Sequence, residues 1–137
     1  MQYWLVKSEP EAYAWSDLLR DRRTDWTGVR NYAARNNLSA MRRGDQVLFY
    51  ESVTTKAIVG RATVSRTALP DPTADEAGWV AVELTADASL PKPVTLAEIK
   101  ESPTLAKMSL VRISRLSVHP LTAAEFKQVL KIGRAHV

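Results

Sequence analysis

Short strand-like runs alternate with short helical segments along this chain, and that alternation most limits the folds it can adopt. Residues 52–55 between two of the runs predict a hairpin connection. Strands with helices between them indicate the α+β class, built either as a compact domain or as a small mixed barrel. Apolar or alternating residues predict five strands, over residues 2–6, 45–51, 56–66, 79–84 and 110–118.

Two helices are predicted in the first third of the chain. Ser16 is able to cap a helix and Asp17 is favourable at its positive end, so residues 16–22 are expected to be helical. Residues 31–41 predict a second helix, which Gly44 ends, with division into two helices at Asn36-Asn37 as the alternative.

Further signals mark the second half of the chain. Thr95 and Thr122 each precede a glutamate by three positions, the capping-box pattern that opens a helix. Residues 69–75 predict a proline-rich loop. Pro91 and Pro93 predict a break in the chain.

The length of 137 residues suits one domain, which we expect to span residues 1–133 with a tail at 134–137. Cysteine is absent, which excludes disulfides, thiolate metal sites and a cysteine nucleophile. The only histidines are His119 and His136, so neither a metal centre nor a histidine-based triad is expected. No cofactor is predicted.

The opening run is interpreted as a strand rather than a signal peptide, because it has no basic region before it and no small-residue cleavage site after it. No apolar run approaches the ~20 residues that cross a bilayer. We therefore expect no membrane association and a cytoplasmic protein. The oligomeric state stays open, since no heptad pattern is visible.

Positive charge is concentrated in one region. The whole chain has a net charge of +4, whereas residues 20–43 contain seven arginines against two aspartates, a local charge of +5. Arginine binds phosphate bidentately and releases counterions on binding nucleic acid. Charge alone fits a phosphate-binding face and a solvated helix surface equally well.

Two segments place polar side chains beside an aromatic ring. Lys7, Ser8 and Glu9 leave the end of the first predicted strand together, and Pro10 fixes the exit. Trp26 precedes a glycine by two positions, in a segment with poor helix or strand periodicity. Flat apolar faces, close backbone approach and directional hydrogen bonds suit a planar ligand with polar edges, such as a nucleobase.

The same residues resemble the EVE domain family, over nearly the whole chain. The resemblance rests on the opening through Lys7-Ser8-Glu9-Pro10, on the run from Trp26 to Asn36, and on Gly44-Asp45 leading to Phe49-Tyr50. Pro70-Asp71-Pro72-Thr73 and Ser114-Arg115-Leu116-Ser117-Val118 complete it.

The resemblance implies a PUA-like fold, a small mixed β-barrel of about five strands flanked by short helices. It also implies a pocket for a modified base in DNA or RNA, with methylation as the expected modification. Trp26 would be the stacking face and Tyr50 a second wall, while Arg35, Arg42 and Arg43 would hold the backbone. The remaining pocket residues implied are Lys7, Ser8, Glu9, Gly28, Val29, Arg30, Asn31 and Ser52.

One position departs from the family pattern. Many members have histidine between the tyrosine and the serine, where this chain has Glu51. A carboxylate there accepts hydrogen bonds but repels phosphate, so the ligand preference of histidine-bearing relatives does not carry over directly.

Binding by base flipping, without chemistry, is the leading interpretation of these residues. An enzyme that uses Lys7 and Glu9 as general acid and base is an alternative from another class. A protein-interaction domain with a vestigial pocket is a third. Under the leading interpretation Trp26→Ala is expected to abolish discrimination for the modified base and leave the fold intact.

Overall fold

The computed structural model describes residues 1–113 and 115–134, apart from the side chain of residue 68. Ser114 of the family motif, His136 and the rest of residues 135–137 lie outside the described part. Within it the strands are β1 (Tyr3–Ser8), β2 (Arg23–Trp26), β3 (Gln46–Glu51), β4 (Ala57–Pro70), β5 (Val80–Thr95) and β6 (Val118–Leu121). The helices are α1 (Trp15–Asp21), α2 (Tyr32–Ala40), α3 (Leu96–Glu101), α4 (Ser109–Arg112) and α5 (Ala123–Ile132).

All six strands join one mixed sheet in the order β2-β5-β4-β3-β1-β6. The pairing of β1 with β3 is parallel, and the other pairings are antiparallel. The expected α+β class is confirmed. The sheet is not closed, because in the described residues β2 and β6 are its edges and do not pair with each other.

Both faces of the sheet are covered, which explains why β1 and β3 read as continuous apolar runs. Trp4 and Val6 enter one core, together with Phe49, while Leu5 between them enters the core on the other face. Tyr50 follows Phe49 and therefore also lies in the second core. Successive residues of β1 and β3 thus enter the two cores alternately.

Local capping signals account for three of the helix starts. The side chains of Thr95 and Thr122 accept the expected backbone N–H bonds at the starts of α3 and α5, and Asn31 caps α2 in the same way. Ser16 does not cap α1. The helix begins one residue earlier, and Asp17 Oδ2 accepts the Ala14 N–H at 2.8 Å.

The predicted break at Pro91 and Pro93 is wrong, because β5 continues through both prolines to Thr95. The ladder with β4 passes from Gly60–Ser89 to Ile58–Val94, so the two prolines lie in an irregular stretch where no ladder hydrogen bond is lost.

The predicted strand over residues 110–118 is also wrong. Residues Ser109–Arg112 form α4, and the strand begins only at Val118. Leu110 enters the core on one face of the sheet and Leu116 enters the other. The alternation of apolar residues over 110–118 therefore does not come from a strand with one buried face.

Candidate functional site

The ends of β1 and β2 and the loop into α2 line a partly open cavity of about 470 Å³. Both sequence motifs reach it, since Lys7 and Ser8 end β1 and Trp26 ends β2. The cavity is lined by Lys7, Ser8, Glu9, Ala12, Tyr13, Thr24, Asp25, Trp26, Thr27, Gly28, Val29, Arg30 and Ser117.

Trp26 is at once a core residue and a wall of this cavity. Its position is set by β2, in which Trp26 lies opposite Val82 of β5. The indole meets the Phe49 ring edge-to-face, with centroids 5.6 Å apart, and only 8% of the residue is exposed. The burial of Trp26 in the core therefore conflicts with the expectation that Trp26→Ala leaves the fold intact.

Tyr13 is the second aromatic residue of the cavity. Its ring lies edge-on to Trp26 with centroids 6.4 Å apart, and its hydroxyl donates to Asp21 Oδ2 at 2.9 Å. Partial burial is the main cause that raises the pKa of the Tyr13 phenol. The Ser8 hydroxyl donates to the Tyr13 carbonyl at 2.7 Å, which joins the turn after β1 to the strand end.

Lys7, the second-to-last residue of β1, lines the cavity. Its amide donates to the Ser117 carbonyl at 2.8 Å, which fixes the strand end against the segment before β6. Partial burial lowers the pKa of the Lys7 ammonium. Glu9 and Asp25 line the same cavity, so it contains charges of both signs.

A buried carboxylate fixes the loop between Trp26 and α2. Asp71 Oδ2 accepts the Gly28 N–H and an N–H of Arg30, both at 2.9 Å. Its Oδ1 accepts the Thr73 N–H at 2.8 Å and the Thr73 hydroxyl at 2.6 Å. Gly28 has a φ of +79°, which only glycine adopts without strain.

The side chain of Asp71 is inaccessible to solvent, whereas that of Arg30 is 40% exposed. Burial alone would raise the pKa of the Asp71 carboxyl, but hydrogen bonds from Thr73, Arg30 and Gly28 hold it well below its usual range. Asp71 therefore anchors the cavity loop as a carboxylate.

Arg30 and Asn31 have structural partners in this loop. The Arg30 guanidinium also donates to the Val29 carbonyl at 3.0 Å and to the Thr73 hydroxyl at 2.9 Å. The Asn31 side chain accepts the Ala34 N–H at 2.9 Å and so caps α2, and Asn31 is not among the residues that line the cavity.

Tyr50 and Ser52 are not brought onto the cavity either, which corrects the expectation for both. Tyr50 is 3% exposed and packs in the core on the opposite face from Trp26, because strand side chains alternate. Ser52 touches the site only indirectly, since its amide donates to the Ser8 carbonyl at 2.9 Å.

Glu51, at the position that departs from the family pattern, supports α1. Its Oε2 accepts the Trp15 N–H at 2.7 Å and its Oε1 accepts the Thr55 hydroxyl at 3.0 Å. A carboxylate at a helix N-terminus satisfies an otherwise unpaired N–H and interacts favourably with the positive end of the helix dipole. Glu51 does not line the cavity.

The three predicted phosphate-binding arginines lie outside the cavity. The Arg35 guanidinium lies over the rings of Tyr32 and Trp79, at 4.9 and 5.3 Å from their centroids. Arg42 and Arg43 are exposed in the turn between α2 and β3. That turn is fixed by Asp45, whose Oδ2 accepts the Arg42 N–H at 2.9 Å.

Sequence reasoning missed several residues of the site. Tyr13, Asp25 and Ser117 line the cavity, and Asp71 anchors its loop. Asp71 belongs to the Pro70-Asp71-Pro72-Thr73 motif of the family resemblance, but that motif alone does not assign Asp71 a role in the site.

No group of three or more histidine, aspartate or glutamate side chains that could hold a metal ion occurs within residues 1–113 and 115–134. In the same described part of the chain, no helix is both long enough and apolar enough to cross a membrane.

The chain is thus an α+β domain with a PUA-like mixed sheet, and a cavity lined by aromatic and polar side chains lies at the strand ends. Comparison with known proteins gives its family. The sequence profile of the EVE domain matches residues 2–132. The chain belongs to the EVE domain family, which confirms the resemblance.

Relatives and solved structures agree with this assignment. Thymocyte nuclear protein 1 of Danio rerio is 33% identical in an alignment that covers 94% of this chain and 71% of that protein. A protein structure from Rhodopseudomonas palustris has a TM-score of 0.91 at 47% identity and covers 97% of this chain and 93% of its own. Human THYN1, solved in complex with DNA containing 5-methylcytosine, has a TM-score of 0.88 at 30% identity over the full length of both chains.

Proposed function

We propose that this EVE domain binds nucleic acid that carries a methylated base, and that the base turns out of its helix into the cavity beside Trp26. The observation that carries the proposal is the convergence of Lys7, Ser8, Glu9 and the Trp26–Arg30 loop on one cavity of about 470 Å³. That volume lies within the usual ~300 to 1,000 Å³ of small-molecule sites. The human THYN1 complex with 5-methylcytosine DNA supports the choice of methylated base.

The charges of the cavity favour a base over a phosphate group. Lys7 and Arg30 are balanced there by Glu9 and Asp25, so a neutral ring with donors and acceptors on its edge is suited better than an anion. Lys7, Ser8 and Glu9 are the proposed edge-reading residues. Because the guanidinium of Arg30 already binds Asp71 and Thr73, we assign Arg30 to positioning the loop.

Trp26 and Tyr13 supply the apolar part of the cavity. Unstacking a base from a duplex costs a few kcal/mol, and contact with aromatic rings recovers about 1 to 3 kcal/mol. A buried methyl group adds only about 0.8 kcal/mol, which predicts modest discrimination by the methyl alone. Arg42 and Arg43, outside the cavity, are the proposed contacts to the phosphate backbone.

The proposed activity is binding without chemistry. Lys7 and Glu9 therefore act as hydrogen-bonding groups rather than as general acid and base. After prolonged incubation the mass of a methylated oligonucleotide should be unchanged, and a change of mass would favour the enzyme alternative. The cytoplasmic location stays a prediction.

Paired oligonucleotides test the proposal. Fluorescence anisotropy should show tighter binding of a DNA or RNA strand with one 5-methylcytosine than of the same strand with cytosine. Comparison of the DNA and RNA pairs identifies the polymer. Equal affinity for methylated and unmethylated strands of both polymers would contradict recognition of this methyl group.

A further inference from the structure

An exposed cluster of two aromatic rings and two guanidinium groups lies beside the cavity, and we call it the Tyr32 platform. Tyr32 and Trp79 stack with centroids 5.2 Å apart and ring planes at 28°. Arg35 lies over both rings, and Arg30 lies 5.6 Å from the centroid of Trp79. The platform consists of Tyr32, Trp79, Arg30 and Arg35.

The exposure of Tyr32 is not explained by the folding of the domain. Tyr32 is 66% exposed. Among the described residues, it is the only aromatic one of the large hydrophobic residues that are exposed. Contact with Trp79 and Arg35 holds the ring in one orientation while most of its surface faces solvent. A ring held in this way loses little conformational entropy when a ligand stacks on it.

The charges near the platform indicate a base face, rather than a phosphate, as its ligand. The loop that presents Trp79 also carries Asp75 and Glu76, both exposed, and the carboxylate of Asp71 already pairs with Arg30. The ion pair with Asp71 offsets the charge of Arg30, and the two exposed acids add negative charge to the same loop. Stacking on an aromatic ring requires no net positive charge and tolerates every base, because each base has a π-face.

Arg30 connects the platform to the cavity, since it lines the cavity and its guanidinium lies over Trp79. We propose that the Tyr32 platform is a second nucleic-acid contact, on which a base next to the cavity-bound base stacks. This inference rests on the proposed function. It adds a contact that contributes affinity without reading the modification.

Two variants of Tyr32 test the platform. Binding of single strands that contain one 5-methylcytosine or one cytosine is measured for the wild type, Tyr32→Phe and Tyr32→Ala across a range of salt concentrations. Tyr32→Ala should weaken binding to both strands by the same factor, about 5- to 140-fold, as expected for loss of one stacked base. Tyr32→Phe should bind as the wild type does, and the salt dependence should not change.

Placing 2-aminopurine next to the 5-methylcytosine gives a readout on the wild-type protein that does not depend on how well a variant folds. Stacking on Tyr32 should quench the fluorescence of 2-aminopurine, and Tyr32→Ala should abolish the quenching. Wild-type affinity in Tyr32→Ala, or no quenching by a wild type that binds, would overturn the platform alone. Loss of binding to the methylated strand only would place Tyr32 in base reading and overturn it too. A wild type that binds neither strand would overturn the proposed function together with the platform.

Discussion

The amide of Gly28 donates a hydrogen bond to Oδ2 of Asp71 at 2.9 Å, across 43 residues of chain. The same oxygen accepts an N–H of Arg30, so one buried carboxylate fixes two positions of the short cavity loop. The geometry of the proposed base site therefore depends on a residue that does not itself line the cavity.

Replacement of Asp71 by asparagine should loosen this loop. The amide keeps the shape but cannot accept with both of its polar atoms, so at least one buried donor loses its partner, at a cost of about 1 to 3 kcal/mol. We expect a lower free energy of unfolding and weaker preference for the methylated strand. Asp75→Asn, at an exposed position of the same loop, is the matched control and should change neither quantity.

The stability difference between the wild type and Asp71→Asn should depend on pH. Because the pKa of folded Asp71 lies below its unfolded value of about 3.9, its contribution to stability is complete above that value and is lost as the pH falls below it. The difference in unfolding free energy between wild type and Asp71→Asn should therefore be largest near neutral pH and shrink below about pH 4. A difference that stays constant down to pH 2 would show that Asp71 is not held as a carboxylate.

Trp26→Ala should destabilise the fold, contrary to the expectation from sequence. Removing a buried tryptophan costs about 3 to 5 kcal/mol, a large share of the stability of a domain this size. Trp26→Phe retains an aromatic core contact but presents a smaller ring to the cavity. We expect Trp26→Phe to melt close to the wild type and to lose most of its preference for the methylated strand, as measured by thermal unfolding and anisotropy. Unchanged preference in a folded Trp26→Phe would remove Trp26 from the site.

The turn with Arg42 and Arg43 should act through the phosphate backbone. Each phosphate contact contributes about 0.7 to 0.9 to the slope of log affinity against log salt concentration. The double variant Arg42→Ala, Arg43→Ala should lower affinity for methylated and unmethylated strands alike and reduce that slope by about 1 to 2. A loss confined to the methylated strand would contradict a backbone role.

Glu51→Ala should affect stability but not recognition. It removes the carboxylate that accepts the Trp15 N–H, and loss of such a partner at a helix start costs about 0.5 to 2 kcal/mol. Glu11→Ala, at an exposed position, serves as the control for a lost negative charge. Chemical denaturation and anisotropy measure the two effects, and a changed preference for the methylated base would assign Glu51 to the site.

Local signals in the sequence predicted local structure well. The predicted caps at Thr95 and Thr122 bond to amides three residues away, so a short stretch of sequence contains both partners. The strand β2 was missed because it has only four residues, two of them charged, and is held by pairing with the distant β5.

The site could be predicted only as far as its motifs reach. The two motifs indicate Lys7, at the end of the first predicted strand, and Trp26 as site residues, but not that Trp26 ends a strand. The side of the sheet on which Tyr50 lies depends on the two-sided burial of β3, and a continuous apolar run does not show which residues face which core. The bond between Asp71 and Gly28 joins two loops distant in sequence, so no local pattern predicts it.

The most direct test of the account is an NMR measurement on the complex. A strand with a ¹³C-labelled methyl group on its single 5-methylcytosine is bound to the wild-type protein, and contacts of that methyl with protein protons are recorded. The account predicts nuclear Overhauser effects to the Trp26 indole and to side chains of the same cavity, including Lys7 or Tyr13. A methyl group that binds without any contact to the Trp26 cavity would contradict the proposed site.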